Sequence, residues 1–432
     1  MTEEFKRKRA TYHLYTFLFS KMISSLGANV YAFGMSMYIL SITGSALSFA
    51  ANLIFSIVPR MIFSPIAGIV SDRLPKKKIV LIGQGISIFS ITGLLLISFS
   101  SALSIGAIYA TTFFYTIGST FSTLAFSASI ANLVDQERIQ RAMSFNQLSI
   151  SLSGIGGPVI GGMLFGFVSM ESFILINVVL YGIAFLLDAS MDFDLYSSKT
   201  INSIKVESMI QSLQKGMDYI RSKPALSRLL LVVLWLNFFF SAVTVGTNYI
   251  FVERLKIEYT SIGFIEAAGA IGMLFSSIYL AVISTIQFPL LFSKRAILGL
   301  SILVSGMSLP LFFKFSSLFI FLYYSVVMFL FGSLSVFTNT PIGVMLQKDV
   351  EESYRGRILG LIEMMAMGFM PIGSLFFGLL YDLVAAQIVL LICSILLIVI
   401  TLILLPSSFI RAIYPQNKQK SLPNSAQLEM KR

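Results

Sequence analysis

The sequence has little charge and almost no cysteine or histidine. Of its 432 residues only 12% are Asp, Glu, Lys or Arg, about half the ~25% typical of soluble domains. With 56% apolar residues and a mean hydropathy of +0.86, the chain has too little polar surface to cover a water-soluble globule. Most of its mass is expected to lie in lipid. Cys393 is the sole cysteine, which excludes an intrachain disulfide and a thiolate metal cluster. His13 is the sole histidine, so neither a histidine-based metal site nor a Ser-His-Asp triad can form from this chain alone. No GxxxxGK[ST] loop is present, so ATP is not a direct driver through such a loop. No cofactor is expected and no enzyme reading finds a foothold.

What is present is a succession of twelve apolar segments, each of roughly 20 residues, the length that spans about 30 Å of hydrocarbon. The first, near 12–40, is too long for a signal-peptide core and lacks a small-residue cleavage site, so it is expected to stay as helix one. The spans divide six and six, over 12–189 and 228–405, with 1–11 as a cytoplasmic N-terminus and 406–432 as a cytoplasmic tail. With the N-terminus inside, the outer loops hold only Arg254, Lys256 and Lys314, and Lys21 and Arg60 fall inside spans. Every other Lys and Arg is cytoplasmic, as the positive-inside rule requires. The net charge of +11 thus orients the chain against anionic inner-leaflet lipid and does not indicate nucleic acid.

The segment 190–227 is a cytoplasmic linker. Within it Ile204, Met209, Ile210, Leu213, Met217 and Ile220 recur at helical spacing, which predicts an amphipathic helix ended by Pro224. The halves also share punctuation. Asp135, Glu137, Arg138 and Arg141 precede a helix with Gly157-Pro158 and Gly161-Gly162. Asp349, Glu351-Glu352 and Arg355-Gly356-Arg357 precede one with Pro371, Gly373 and Gly378. Either the two acidic-basic loops coincide by chance, or the halves are duplicated and a site lies between them near mid-membrane.

Two motifs bear on mechanism. Between spans two and three stand Gly68, Asp72, Arg73, Lys76 and Lys77 in a G-x-x-x-D-R-x-x-K-K spacing. Gly68 permits close helix packing, and the Asp72 carboxylate leaves the membrane where it can face the positive end of another helix. Helix five carries Gly154, Gly157, Pro158, Gly161, Gly162 and Gly166, a cluster that allows a kink and very close helix contact.

The loop resembles the signature joining helices two and three in the major facilitator superfamily, and the Gly-Pro-x-x-Gly-Gly run resembles the helix-five signature of its drug:proton antiporters. Thr43-Gly44-Ser45-Ala46, Pro59, Pro65, the run from Lys215 to Pro224, Arg355-Gly356-Arg357 and Pro371-Ile372-Gly373 extend the likeness to the macrolide-efflux branch, which includes bacterial siderophore exporters. Pro75 stands where that loop has a glycine, and Ser153 where the antiporter run has one. The resemblance implies an all-α integral membrane protein: twelve transmembrane helices in two pseudo-symmetric six-helix bundles, a monomer in a bacterial plasma membrane. It implies that Asp72 latches against the start of helix eleven, after Arg355-Gly356-Arg357. The second-half copy, near Ser293-Lys294-Arg295, lacks the aspartate, so the latch is one-sided.

Charges inside spans are the default functional candidates, because lipid tolerates them only beside a cavity or partner. Arg60 lies near mid-membrane and either faces a central cavity or has a structural role. Lys21 either lines that cavity or snorkels to the inner surface. Glu266 and Glu363 either exchange protons or stabilise helix N-termini. Asn29 and Asn237 either contact substrate or link helices. No acidic residue falls near mid-membrane, and Ala28 stands where relatives often carry an acid, so proton coupling comes from the resemblance. The expectation is an alternating-access exporter of macrolide-like amphipathic molecules in exchange for protons. The alternatives are export of a carboxylate siderophore, with Arg60 and Lys21 as anion partners, or a lipid flippase or transport-inactive relative.

Overall fold

A computed structural model of the chain describes residues 3–100, 103–196, 209–282, 288–349 and 352–413, and among these there are helices and turns but no strand. The first six long helices are α1 (Glu3–Thr43), α2 (Ala46–Arg73), α3 (Lys76–Ser100), α4 (Ile105–Leu133), α5 (Gln136–Phe167) and α6 (Met170–Ser190). After α7 (Met209–Ser222) come α8 (Pro224–Tyr249), α9 (Tyr259–Val282), α10 (Pro289–Gly306), α11 (Ser317–Asp349), α12 (Glu352–Leu383) and α13 (Ala386–Leu404), then the short α14 (Ser407–Ile413).

Ten of these helices are long and apolar enough to cross a membrane, among the described residues. Phe89 and Val282, each 81% exposed, belong to a broad apolar belt that has no place in water. Of the remaining two, α12 contributes the apolar stretch Gly368–Leu383. α4 falls short because it carries Thr111, Thr112, Thr116, Ser119, Thr120, Ser122 and Thr123, most of them turned inward.

The two sets of six helices repeat one packing scheme. In the first set α1 packs on α5 and α6, α3 on α4 and α6, and α2 on α4. In the second, α8 packs on α12 and α13, α10 on α11 and α13, and α9 on α11. Every pair recurs at the equivalent place, so the shared punctuation of the halves reflects a structural repeat. Between the sets the principal contacts are α2 with α12 and α5 with α9, which exchange under the same pseudo-two-fold.

We call the end holding the α2–α3 and α4–α5 turns and the linker the basic end, and the opposite one the far end. At the far end α2, α4 and α6 each start on a serine cap, Ser45, Ser104 and Ser169, whose hydroxyl accepts from the backbone three residues on. This supplies acceptors for helix-start N–H groups that lipid cannot satisfy. The α1–α2 turn needs Gly44, which sits at φ +61° and donates back to Leu40 O at 2.8 Å, a left-handed helix stop. At the basic end Lys77 Nζ donates to Ala189 O and Met191 O at 2.7 and 2.8 Å, a cation on the carbonyl end of α6. Lys76 Nζ donates to Ala128 O of α4 at 2.8 Å.

Two expectations change. Residues 3–11 continue α1 and do not form a separate N-terminal stretch. The linker helix is described over Met209–Ser222, and the expected start at Ile204 lies outside the described residues. Its end packs on α8 and α12 with Ile220 buried. Ser293-Lys294-Arg295 sits inside α10, because Pro289 starts that helix at its first position; Lys294 is buried there.

Candidate functional site

Inside the first bundle α1, α2, α3, α4 and α6, with Ile150 of α5, surround a recess of about 230 Å³. That is below the ~300–1,000 Å³ that holds a whole drug-sized ligand, so the recess suits one polar head group. Its lining follows from helical spacing. On α1, Lys21, Ser24, Ser25, Ala28 and Asn29 face it, and on α4, Tyr115, Ser119, Ser122, Thr123 and Phe126. Both sets keep to steps of three and four residues, one face of each helix.

The charged groups are Lys21 (α1), Arg60 (α2) and Asp188 (α6). Asp188 is 1% exposed. Its carboxylate accepts from Ser20 Oγ and from Gln84 Nε2 at 2.5 Å, which lets a buried carboxylate persist. Lys21 is 6% exposed and feels the charge of Asp188 without pairing directly to it. The ion pairs among the described residues are Lys8–Glu4, Arg9–Asp192, Arg138–Asp135 and Lys256–Glu253, so neither Lys21 nor Arg60 has an acidic partner in contact. Above them Tyr115 and Tyr181 join hydroxyl to hydroxyl, within electrostatic range of Arg60.

The far end is closed across the two bundles. Asp382, in the last turn of α12, accepts from Ser45 Oγ at 2.6 Å, Ala46 N at 2.7 Å and Leu47 N at 3.2 Å. A carboxylate of one bundle thus caps the first turn of α2 in the other, where the helix dipole favours it. One turn deeper, a Cβ on Gly378 would meet Ala50 and the Ala46 and Leu47 backbone at about 3 Å, so α2 and α12 touch backbone to backbone. On the other side Phe165 meets the Tyr259 ring edge-on at 4.6 Å. A Cβ on Gly162 would lie 2.6 Å from Tyr259 O and 3.3 Å from Gly263 Cα.

The structure sorts the residues expected from sequence. Lys21, Arg60 and Asn29 come together in the recess, with Lys21 buried. Asn237 donates only to Val233 O of its own helix at 2.9 Å and is not brought there. Glu266 on α9 faces the Asn248 amide of α8, away from the recess. The glycine run of α5 divides in two: Gly157 and Gly161 meet Asn29 and Phe33 of α1, while Gly162 meets α9 and Gly154 meets nothing. The Pro158 carbonyl crowds Gly263 across the bundle interface. Gly68 likewise has no neighbour within 4 Å of a built Cβ. The side chains of Asp72, Arg73, Glu363 and the run Arg355-Gly356-Arg357 lie outside the described residues.

Two groups escaped the sequence reading. Asp188 is a buried acid that was not among the charges singled out within spans. It falls near the end of an apolar run, where hydropathy places it at the surface, yet α6 continues to Ser190 and turns it inward. Asp382, at the end of α12, is exposed and is marked only by its contact with the α2 start. A usable signal was the pairing of Asp188 with Gln84 and Ser20, three hydrogen-bonding side chains in otherwise apolar helices.

Comparison with known proteins agrees with this geometry. The sequence model of the Major Facilitator Superfamily matches residues 17–370. Macrolide efflux protein A of Streptococcus pyogenes is 25% identical over 371 residues, 85% of this chain and 89% of that one. The Staphyloferrin A transporter of Staphylococcus aureus is 24% identical over 377 residues, again 85% and 89%. Among solved structures, a bacterial homologue of the iron transporter ferroportin in an inward-facing state superposes with a TM-score of 0.68 at 17% identity, covering 91% of this chain and 98% of its own. A nucleoside transporter gives 0.69 at 15%, with the same coverage. The helix repeat, the crossed α2–α12 and α5–α9 contacts and the family match have one meaning: the chain is a multi-pass membrane transporter that belongs to the Major Facilitator Superfamily.

Proposed function

We propose that the chain exports amphipathic small molecules from the cytoplasm by alternating access, drawing on the proton-motive force, with the basic end inside. The observation that carries this reading is a polar recess lying behind a far end closed by Asp382, Gly378 and Gly162. A molecule entering from the basic end reaches Lys21 and Arg60 while the outer side is shut. Export follows when the α2–α12 and α5–α9 contacts part and the basic end closes, by rocking of one bundle against the other. The orientation rests on the Lys and Arg distribution, and the outward direction on the names of the efflux relatives.

A macrolide-like molecule is the first reading of substrate, supported by those relatives. A carboxylate-bearing metabolite is the second, favoured by two cations lining the recess, Lys21 buried and Arg60 exposed, with no acid in contact among the described residues. Expression in an antibiotic-sensitive bacterial host tests the function. Lower accumulation of erythromycin or of an exported carboxylate, restored when the proton gradient is collapsed, is the expected result. Accumulation equal to that of the vector control for every compound, with the protein present in the membrane, would remove the efflux reading.

A further inference from the structure

Lys21 and Arg60 both reach the recess, and among the described residues neither makes a hydrogen bond or ion pair through its charged group. Lys21 is buried, and a cation in a low-dielectric interior without a contacting counter-ion is costly; Arg60 is exposed to the open side of the recess. The one carboxylate in the recess, Asp188, does not discharge that cost, since its oxygens are taken by Ser20 and Gln84. With all three groups ionised the recess carries one uncompensated positive charge. Serine and threonine hydroxyls and the Tyr115–Tyr181 pair surround it, so hydrogen-bond donors stand beside the cations. The volume fits a single head group.

We propose that this recess is an anion subsite, in which Lys21 and Arg60 bind the head group of a carboxylate-bearing substrate, the second of the two substrate readings, while Asp188 acts as the internal negative charge that weakens that binding enough for release. The inference rests on the efflux reading for the direction of movement and names the substrate class of the same site. A bidentate Arg60–carboxylate contact fixes the head group, and the Lys21 ammonium adds a point charge. The apolar body of the molecule then extends out of the recess between the bundles. The membrane potential, negative inside, pushes such an anion outward. Gln84 makes the role of Asp188 testable. Its Oε1 is buried and accepts no hydrogen bond, so rotating the amide presents an acceptor to an uncharged donor at position 188. Asp188→Asn therefore keeps a bonded partner while removing the charge.

The test is calorimetric titration of the full-length protein in nanodiscs with three matched probes: 2-naphthoate, 2-naphthylmethylammonium and 2-naphthalenemethanol. The expected order is naphthoate tightest, with Arg60→Gln and Lys21→Gln each lowering its affinity about tenfold or more, the loss typical of a charge-assisted contact. Arg60→Lys should lose less than Arg60→Gln, and Asp188→Asn should raise naphthoate affinity severalfold. Neutral-probe affinity should stay within about twofold throughout, which separates loss of the contact from misfolding. Tighter binding of the ammonium probe than of naphthoate, or naphthoate affinity indifferent to both Arg60→Gln and Lys21→Gln, would overturn the subsite. Erythromycin efflux that persists in cells despite that result would leave the transport reading standing. Naphthoate binding as expected, with no efflux of any compound, would sink the transport reading and keep the subsite.

Discussion

Removing the Asp382 side chain should open the far end, and the structure gives the size of the effect. Three contacts are lost: Ser45 Oγ at 2.6 Å and the Ala46 and Leu47 amides at 2.7 and 3.2 Å. A helix N-cap contributes about 1 kcal/mol, and a carboxylate at a helix start adds ~0.3–1 kcal/mol. Asp382 is exposed, so the larger values for buried charged hydrogen bonds do not apply. Asp382→Ala should then cost the closed far end about 2 kcal/mol, a roughly thirtyfold rise in the opening constant. Asp382→Asn keeps one acceptor and should cost about 1 kcal/mol, roughly fivefold. The single native cysteine is buried, so Cys393→Ala gives a clean background for Ala50→Cys, at a position sealed against Gly378. Labelling with a membrane-impermeant maleimide from the far end reads the opening. The expected rates rise in the order Asp382, Asp382→Asn, Asp382→Ala. Rates equal within about twofold would show that this carboxylate does not hold the gate.

Other substitutions address other contacts. Gly162→Leu places a side chain where Tyr259 O lies 2.6 Å from a built Cβ; it should abolish transport while membrane insertion, measured by surface yield, is kept. Lys77→Met removes both bonds to the α6 carbonyls and should lower the melting temperature in detergent by about 1 °C, the shift expected for ~1 kcal/mol in a chain of this size. Asp72→Asn should impair export with insertion intact, as the loop resemblance implies; near-native export would remove the latch at the basic end.

The sequence made the scaffold legible and left its polar interior half hidden, for a physical reason. Span positions follow from apolar length, and orientation from charge asymmetry, both local quantities. The α5 glycines were readable because a helix needs many small residues only where another backbone comes close, though not which neighbour each one meets. Lys21 and Arg60 stood out as charges within apolar runs. Asp188 and Asp382 did not, because each lies near a helix end, where depth depends on tilt and on which neighbour covers the side chain. Ser20 and Gln84 from α1 and α3 bury Asp188, and the α2 start captures Asp382; neither contact leaves a trace in linear hydropathy. Asn237 shows the converse, a polar residue within a span that bonds only to its own helix.

The most direct test of the account is transport in everted membrane vesicles, whose basic end faces the added substrate. Energising the membrane should drive uptake of 2-naphthoate or erythromycin into vesicles containing the chain, lost on collapsing the gradient and, for naphthoate, in Arg60→Gln. Uptake no greater than in vesicles lacking the chain, or uptake indifferent to energisation, would contradict it.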